Sequence, residues 1–124
     1  MSLLGLFFYT PQTVSKEEIV LVAESVKTSN AILEINGQKY ESEIKNSISV
    51  YDFMDKLRSE GKISFTEKNY TGIGKFIDTI NEVRGNGDKN WIYYVNNKKA
   101  QVGVSNYKIK PGDLVSWKYE KENY

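Results

Sequence analysis

Apolar and polar residues alternate on both sides of Asn36-Gly37, and this period of two predicts a β-hairpin. An Asn-Gly pair suits the type I′ turn, whose twist matches that of paired strands. The resulting register sets Leu33 opposite Tyr40 and Ile35 opposite Gln38 on one face, with Glu34 opposite Lys39 on the other. From Ser49 the period becomes helical. Val50, Phe53, Met54 and Leu57 fall at i, i+3, i+4 and i+7 behind a serine capping signal, and Gly61 supplies the stop.

Ile63-Ser64-Phe65-Thr66 reads as a strand. Ile73, Phe76, Ile77, Ile80 and Val83 fit a helical period while Gly72 and Gly74 weaken a helix start, so periodicity leaves 72–83 open between helix and strand. Arg84 to Asn90 is a loop by its glycine and asparagine content, and Trp91 to Val95 is rich in strand formers. Asn96-Asn97 turns that strand back toward Ala100-Gln101-Val102, setting Tyr93 opposite Ala100 and Trp91 opposite Val102. Pro111-Gly112 turns into a last strand, Leu114 to Tyr119, with Val115, Trp117 and Tyr119 on one face. Two strands, a helix and then further strands predict an α+β fold: a small β-grasp-like domain whose mixed or antiparallel sheet packs on one helix.

The chain before Ser29 follows neither pattern. Leu3-Leu4-Gly5-Leu6-Phe7-Phe8-Tyr9 is apolar but far shorter than the roughly 20 residues that span a bilayer. It reads either as an edge strand or latch of the fold or as the end of a signal anchor, and the polar Thr10-Pro11-Gln12 after it favours the anchor. Ser15-Lys16-Glu17-Glu18 argues for a helix cap and Ile19-Val20-Leu21-Val22-Ala23 for a strand, which leaves that linker open. The expectation is an anchor remnant and linker over 1–28, a folded domain over 29–124, and an exported protein held at the cell envelope.

Composition narrows the chemistry. A chain of 124 residues has room for one domain and a short appendage. Its 17 basic and 16 acidic residues are interspersed, giving a net charge of +1 and no footprint for nucleic acid. The absence of histidine and cysteine removes Ser-His-Asp and Cys-His sites, zinc sites with N/S ligands and disulfides. Asn86-x-Asp88-x-Asn90 begins like a calcium loop, but Trp91 stands where glycine is expected and no glutamate closes it, so it reads as a surface turn. Asp52, Asp55 and Glu60 form a solvated helix face, while Glu41 and Glu43 alternate with inward strand positions. No acid/base pair emerges, and the expectation is a protein that is not an enzyme. The nine tyrosines and two tryptophans are the richer signal. Trp117 reads as core, whereas Trp91, Tyr93 and Tyr107 are open between packing and a ligand-facing surface. Tyr70-Thr71-Gly72-Ile73-Gly74 is either a plain turn or a loop whose glycines admit a ligand close to the backbone.

Phe76-Ile77-Asp78-Thr79-Ile80-Asn81, the strand at Trp91, Gly103-Val104-Ser105-Asn106-Tyr107 and Gly112-Asp113 stand together in an order and spacing that resembles the transcobalamin-like C-terminal domain family. The resemblance spans residues 31–120 and is to the bacterial surface-protein branch of unknown ligand. It implies extended structure over 72–83 and a ligand-binding role for Gly72, Gly74, Trp91 and Gly103, to which the aromatic reading adds Tyr70, Tyr93 and Tyr107. In the vertebrate carriers of this family cobalamin lies between this domain and a helical barrel, which has no counterpart in these residues. No cofactor is expected, with cobalamin suggested by kinship only. The functional expectation is a non-catalytic, envelope-anchored binding module for a small molecule, a corrinoid among the candidates, or for a cell-surface protein or glycan. The alternative is a structural or adhesion domain with no small-molecule ligand.

Overall fold

In a computed structural model, which describes residues 29–72 and 74–121, Asn36 and Gly37 take positive φ, 46° and 91°. They form the left-handed turn that joins β1 (Asn30–Ile35) to β2 (Gln38–Glu43). The register pairs Leu33 with Tyr40, Glu34 with Lys39 and Ile35 with Gln38, as the alternation predicts. Ala31, Leu33 and Ile35 are buried.

A short strand β3 (Ile48–Ser49) leads directly into helix α1 (Val50–Ser59). Ser49 keeps an extended backbone and its Oγ accepts from the Asp52 N–H at 3.0 Å, satisfying one of the amides that a helix start leaves without a partner. At the other end Gly61 N–H donates to Arg58 O and Lys62 N–H to Leu57 O, both at 3.0 Å. This pair of bonds needs a left-handed residue, and Gly61 takes φ 77°. Val50, Phe53, Met54 and Leu57 are the buried stripe.

The remaining strands are β4 (Phe65–Tyr70), β5 (Gly74–Ile80), β6 (Val83–Arg84), β7 (Lys89–Val95), β8 (Lys98–Lys99), β9 (Lys108–Ile109) and β10 (Leu114–Lys121). They give an α+β domain in which a five-stranded sheet runs in the order β2-β1-β10-β7-β8. Its centre is the parallel pair β1 and β10, Leu33 beside Val115 and Ile35 beside Trp117, and every other contact in that sheet is antiparallel. A three-stranded sheet β4-β5-β6 and the pair β3-β9 complete the described strands. The helix stripe meets the inner face of the large sheet, where Trp117 Nε1 donates to Met54 Sδ at 3.1 Å within the core. The turn at Pro111-Gly112 is pinned by Asp113, whose carboxylate accepts from Lys110 N–H at 3.0 Å and from Asn96 Nδ2 at 3.1 Å. Asn96 Oδ1 in turn accepts from Leu114 N–H at 2.9 Å, so the β7–β8 turn and the start of β10 are tied through side chains.

Some expectations need correction. Residues 72 and 74–83 are extended or in turns, as the family resemblance implied, and the apolar spacing that mimicked a helix comes from a β-bulge in the β4–β5 register. The strand expected at Ile63–Thr66 begins only at Phe65, because Ser64 and Asn81 bond each other at the strand mouth: Ser64 N–H to Asn81 Oδ1 at 2.9 Å and Asn81 N–H to Ser64 O at 2.8 Å. The loop expected over 84–90 is shorter, since Arg84 belongs to β6 and Lys89 and Asn90 to β7. Trp91 does not pair with Val102. After Ala100 N–H bonds Tyr93 O at 3.1 Å the chain leaves the sheet, because Val104 O and Tyr107 O are the acceptors for the Tyr51 and Val50 amides at the helix start. The expectations for residues 1–28 and for Ile73 lie outside the described residues. No helix among the described residues is long and apolar enough to cross a membrane.

Candidate functional site

Two strands leave an edge open toward each other. Strand β5 pairs with β4 along its length but with β6 only at Thr79 and Ile80. Strand β7 pairs with β10 from Lys89 to Val95, yet with β8 only at Tyr94 and Val95. Between the open stretches lies a cleft of about 340 Å³, closed on a third side by the segment 99–104. That size sits at the lower end of small-ligand pockets. Its apolar floor includes Ile77, Trp91, Tyr93, Val104 and Trp117, and Phe76 and Val102 stand at its mouth. Those two are 41% and 48% exposed, so the apolar lining of the cleft continues to the surface. Lys75, Asn90 and Lys99 supply the polar lining.

The floor is rigid. Trp91 is 5% exposed, with its Nε1 donating to Val83 O at 2.8 Å and its ring 5.1 Å from that of Tyr119. Tyr93 is 8% exposed, lies 5.1 Å from the Trp117 ring, meets Tyr107 edge to face at 6.4 Å and donates its hydroxyl to Val102 O. Burial, reinforced by Tyr107, pushes the Tyr93 phenol up to about 12, so it stays protonated at any ordinary pH.

Of the residues singled out from the sequence, Trp91, Tyr93 and Gly103 line this cleft. Tyr70, Gly72, Gly74 and Tyr107 do not. Tyr70 is 47% exposed at the end of β4 and touches the site only through its ring contact with Phe76 at 6.2 Å. Gly72 and Gly74 hold positive φ, 85° and 95°, in the β4–β5 turn, which accounts for both as turn residues. Tyr107 is half-buried behind Tyr93. Trp91, which the sequence left open between packing and a ligand-facing surface, has its indole in the core and offers the cleft a wall rather than a free face. Sequence reasoning missed Phe76 and Val102 as mouth residues. Both had been given inward roles, Phe76 within an apolar stripe and Val102 as a strand partner of Trp91.

A second polar cluster lies outside the cleft and reads as structural. Glu67 accepts from the Tyr51 hydroxyl and lies 3.4 Å from Arg58 Nη1, while the guanidinium covers the Phe65 ring at 3.9 Å. The Tyr51 hydrogen bond, opposed by burial and aided by Arg58, holds the Glu67 carboxyl below its usual range. The cluster clamps the helix to β4. Among the described residues no group of three His, Cys, Asp or Glu side chains is placed to hold a metal ion.

A family model described as a domain of unknown function (DUF4430) matches residues 49–121, from the helix cap to the end of β10. No curated protein matches the chain. Among solved structures, haptocorrin in complex with Cbi is similar at a TM-score of 0.62 and 19% identity, over 76% of this chain and 25% of that one. The chain thus spans about a quarter of haptocorrin's length. A protein from Ruminococcus gnavus ATCC 29149, described as a candidate metal-binding protein, is similar at a TM-score of 0.52 and 12% identity, over 76% of this chain and 96% of that one. At these identities the likeness is one of fold.

Proposed function

The chain belongs to the DUF4430 family, and from that premise we propose that it is a non-catalytic binding domain that takes its ligand in the cleft between β5 and β7. The observation that carries this reading is the mouth of the cleft, where Phe76 and Val102 remain exposed above an aromatic floor held by hydrogen bonds. A prepared apolar surface next to a rigid floor costs little to order on binding. The fold shared with haptocorrin supports kinship with the transcobalamin-like domains, and membership of their bacterial surface branch is part of the same proposal. A hairpin, a helix and a last strand parallel to the first support a β-grasp topology. Export and attachment at the envelope through residues 1–28 belong to the same proposal, and fractionation of cells expressing the chain tests them.

Cobalamin is the first compound to titrate. Trp91 and Trp117 both line the cleft, so tryptophan emission corrected for inner-filter loss reports occupancy. The expected affinity is no tighter than about 10 micromolar, roughly −7 kcal/mol, because a cleft of this size can cover only part of a corrin. Nanomolar binding would make the domain a self-sufficient corrinoid carrier. The second reading, a structural or adhesion domain, draws on the burial and hydrogen bonding of Trp91 and Tyr93. It prevails if no ligand of any class perturbs the cleft residues.

A further inference from the structure

We propose that the cleft recognises a small planar heterocycle by an imide edge, the order carbonyl, N–H, carbonyl that pyrimidinediones carry; this rests on the reading of the cleft as the recognition site. Asn96 N–H donates to Leu114 O of β10. Hydrogen-bonding groups alternate between the two sides of a strand, so the even-numbered residues of β7 bond β10 and the odd-numbered ones point away from it. At one end of that far side Lys89 is already satisfied, its N–H by Asn86 Oδ1 at 2.8 Å and its C=O by Asn86 N–H at 3.0 Å. At the other end Tyr93 C=O accepts from Ala100 N–H at 3.1 Å. Between these two stops Trp91 N–H, Trp91 C=O and Tyr93 N–H face the cleft, where no described strand pairs with them.

Donor, acceptor, donor is thus the whole of the open edge, and its two donors stand two residues, about 7 Å, apart. An added strand would meet Asn86 on one side and Ala100 on the other after a single residue pair, so the edge is too short for a chain. A purely apolar ligand would cover the three groups and leave them unmatched. Their complement is acceptor, donor, acceptor, and an imide presents all three from one ring. Hydrogen bonds between strands lie close to the plane of the sheet, so a ring that makes them lies in that plane with its two faces free for apolar contact. The cleft supplies that contact from Ile77 and Val104 on its floor and from Phe76 and Val102 at its mouth. Its volume of about 340 Å³ also suits a ring system.

The test titrates the full chain, labelled with ¹⁵N, with lumazine, a two-ring pyrimidinedione, and in parallel with cobalamin. Saturable shifts are expected, with the Trp91 and Tyr93 amide protons moving downfield as they donate to the carbonyls. 3-Methyllumazine lacks the central N–H and sets a methyl group against Trp91 C=O, and it should bind at least about tenfold more weakly. Pterin, of the same shape, turns an amino group toward one of the two N–H donors and should lose as much. Phe76→Ala, at an exposed position, should weaken lumazine at least about threefold. Uracil and lumichrome carry the same edge on one ring and on three; tighter uracil assigns the cleft to nucleobase-like ligands and tighter lumichrome to flavin-like ones, and either order upholds the edge. Equal affinity for 3-methyllumazine or for pterin, or shifts confined to other surfaces, would overturn the proposal. If cobalamin shifts the cleft and none of the imide rings does, this inference fails and the binding reading stands. If neither does, both fall.

Discussion

The Tyr93 hydroxyl donates to the Val102 carbonyl, so a residue buried in the core holds the loop that forms one wall of the cleft. The bond joins β7 to a segment that has already left the sheet, and it keeps the Val102 side chain at the mouth.

Tyr93→Phe removes that bond with little change in packing and is expected to cost about 1 kcal/mol in equilibrium denaturation, with faster amide exchange over 100–104. The Tyr93 phenol also has a predictable effect at high pH. Its folded-state value is raised to about 12, against about 10 in the unfolded chain. The protonated form is thus favoured by folding, and its contribution is complete below the unfolded value and is lost as pH rises through the folded one. Stability of the parent should fall between about pH 10 and 12, and the Tyr93→Phe curve should be flatter there. Equal slopes for the two proteins would place the titration elsewhere.

Hairpin register, helix stripe and caps were legible because each is a local code. Asn36-Gly37, Ser49 and Gly61 specify backbone geometry within a few residues, and the apolar periods follow from it. The cleft was legible only in part. Trp91, Tyr93 and Gly103 were found by composition and resemblance, but whether an aromatic faces a ligand or the core depends on which strand lies beside it. That is decided by pairing between β7 and β10, which are separated by the whole 96–113 excursion. Phe76 was hidden by the bulge between β4 and β5, which breaks the alternation that would have marked it as outward-facing. The turn at Asn81-Glu82, with φ 47° and 70°, carried no glycine to announce it.

Phe53 is fully buried on the helix face that meets the sheet. Phe53→Ala deletes a large side chain from a site that closes only in part, and is expected to cost about 3 to 5 kcal/mol by chemical denaturation. A loss under about 1 kcal/mol would mean that the helix can be displaced from the core without penalty.

The described residues form a continuous core from Ala31 to Trp117. A chain starting at Ser29 should therefore unfold in one cooperative transition, with a denaturant slope close to that of the full chain. Loss of cooperativity, or a slope well below the parent's, would place part of residues 1–28 in the core and undo the division of the chain at Ser29.

Asp113 is 7% exposed and its carboxylate ties the turn at Pro111-Gly112 to the β7–β8 turn, accepting from Lys110 N–H and from Asn96 Nδ2. Burial alone would push its carboxyl up, but the Lys110 N–H, the Asn96 amide and the Lys110 ammonium, 3.6 Å away, together hold it below the usual carboxylate range. A depressed folded-state value means that the ionised form is favoured by folding. Its contribution is complete above the unfolded value of about 3.9 and disappears as pH falls through the lower folded one. Asp113→Asn places an amide N–H₂ where a carboxylate oxygen now accepts, so it loses a charge-assisted bond and sets donor against donor at Lys110 N–H or Asn96 Nδ2. The expected cost at neutral pH is about 2 kcal/mol. Measured in denaturant from pH 7 down to 2, the difference between parent and variant should narrow below about pH 4. A difference that stays constant across that range would show that the side chain acts through shape alone, with its charge contributing nothing to the turn.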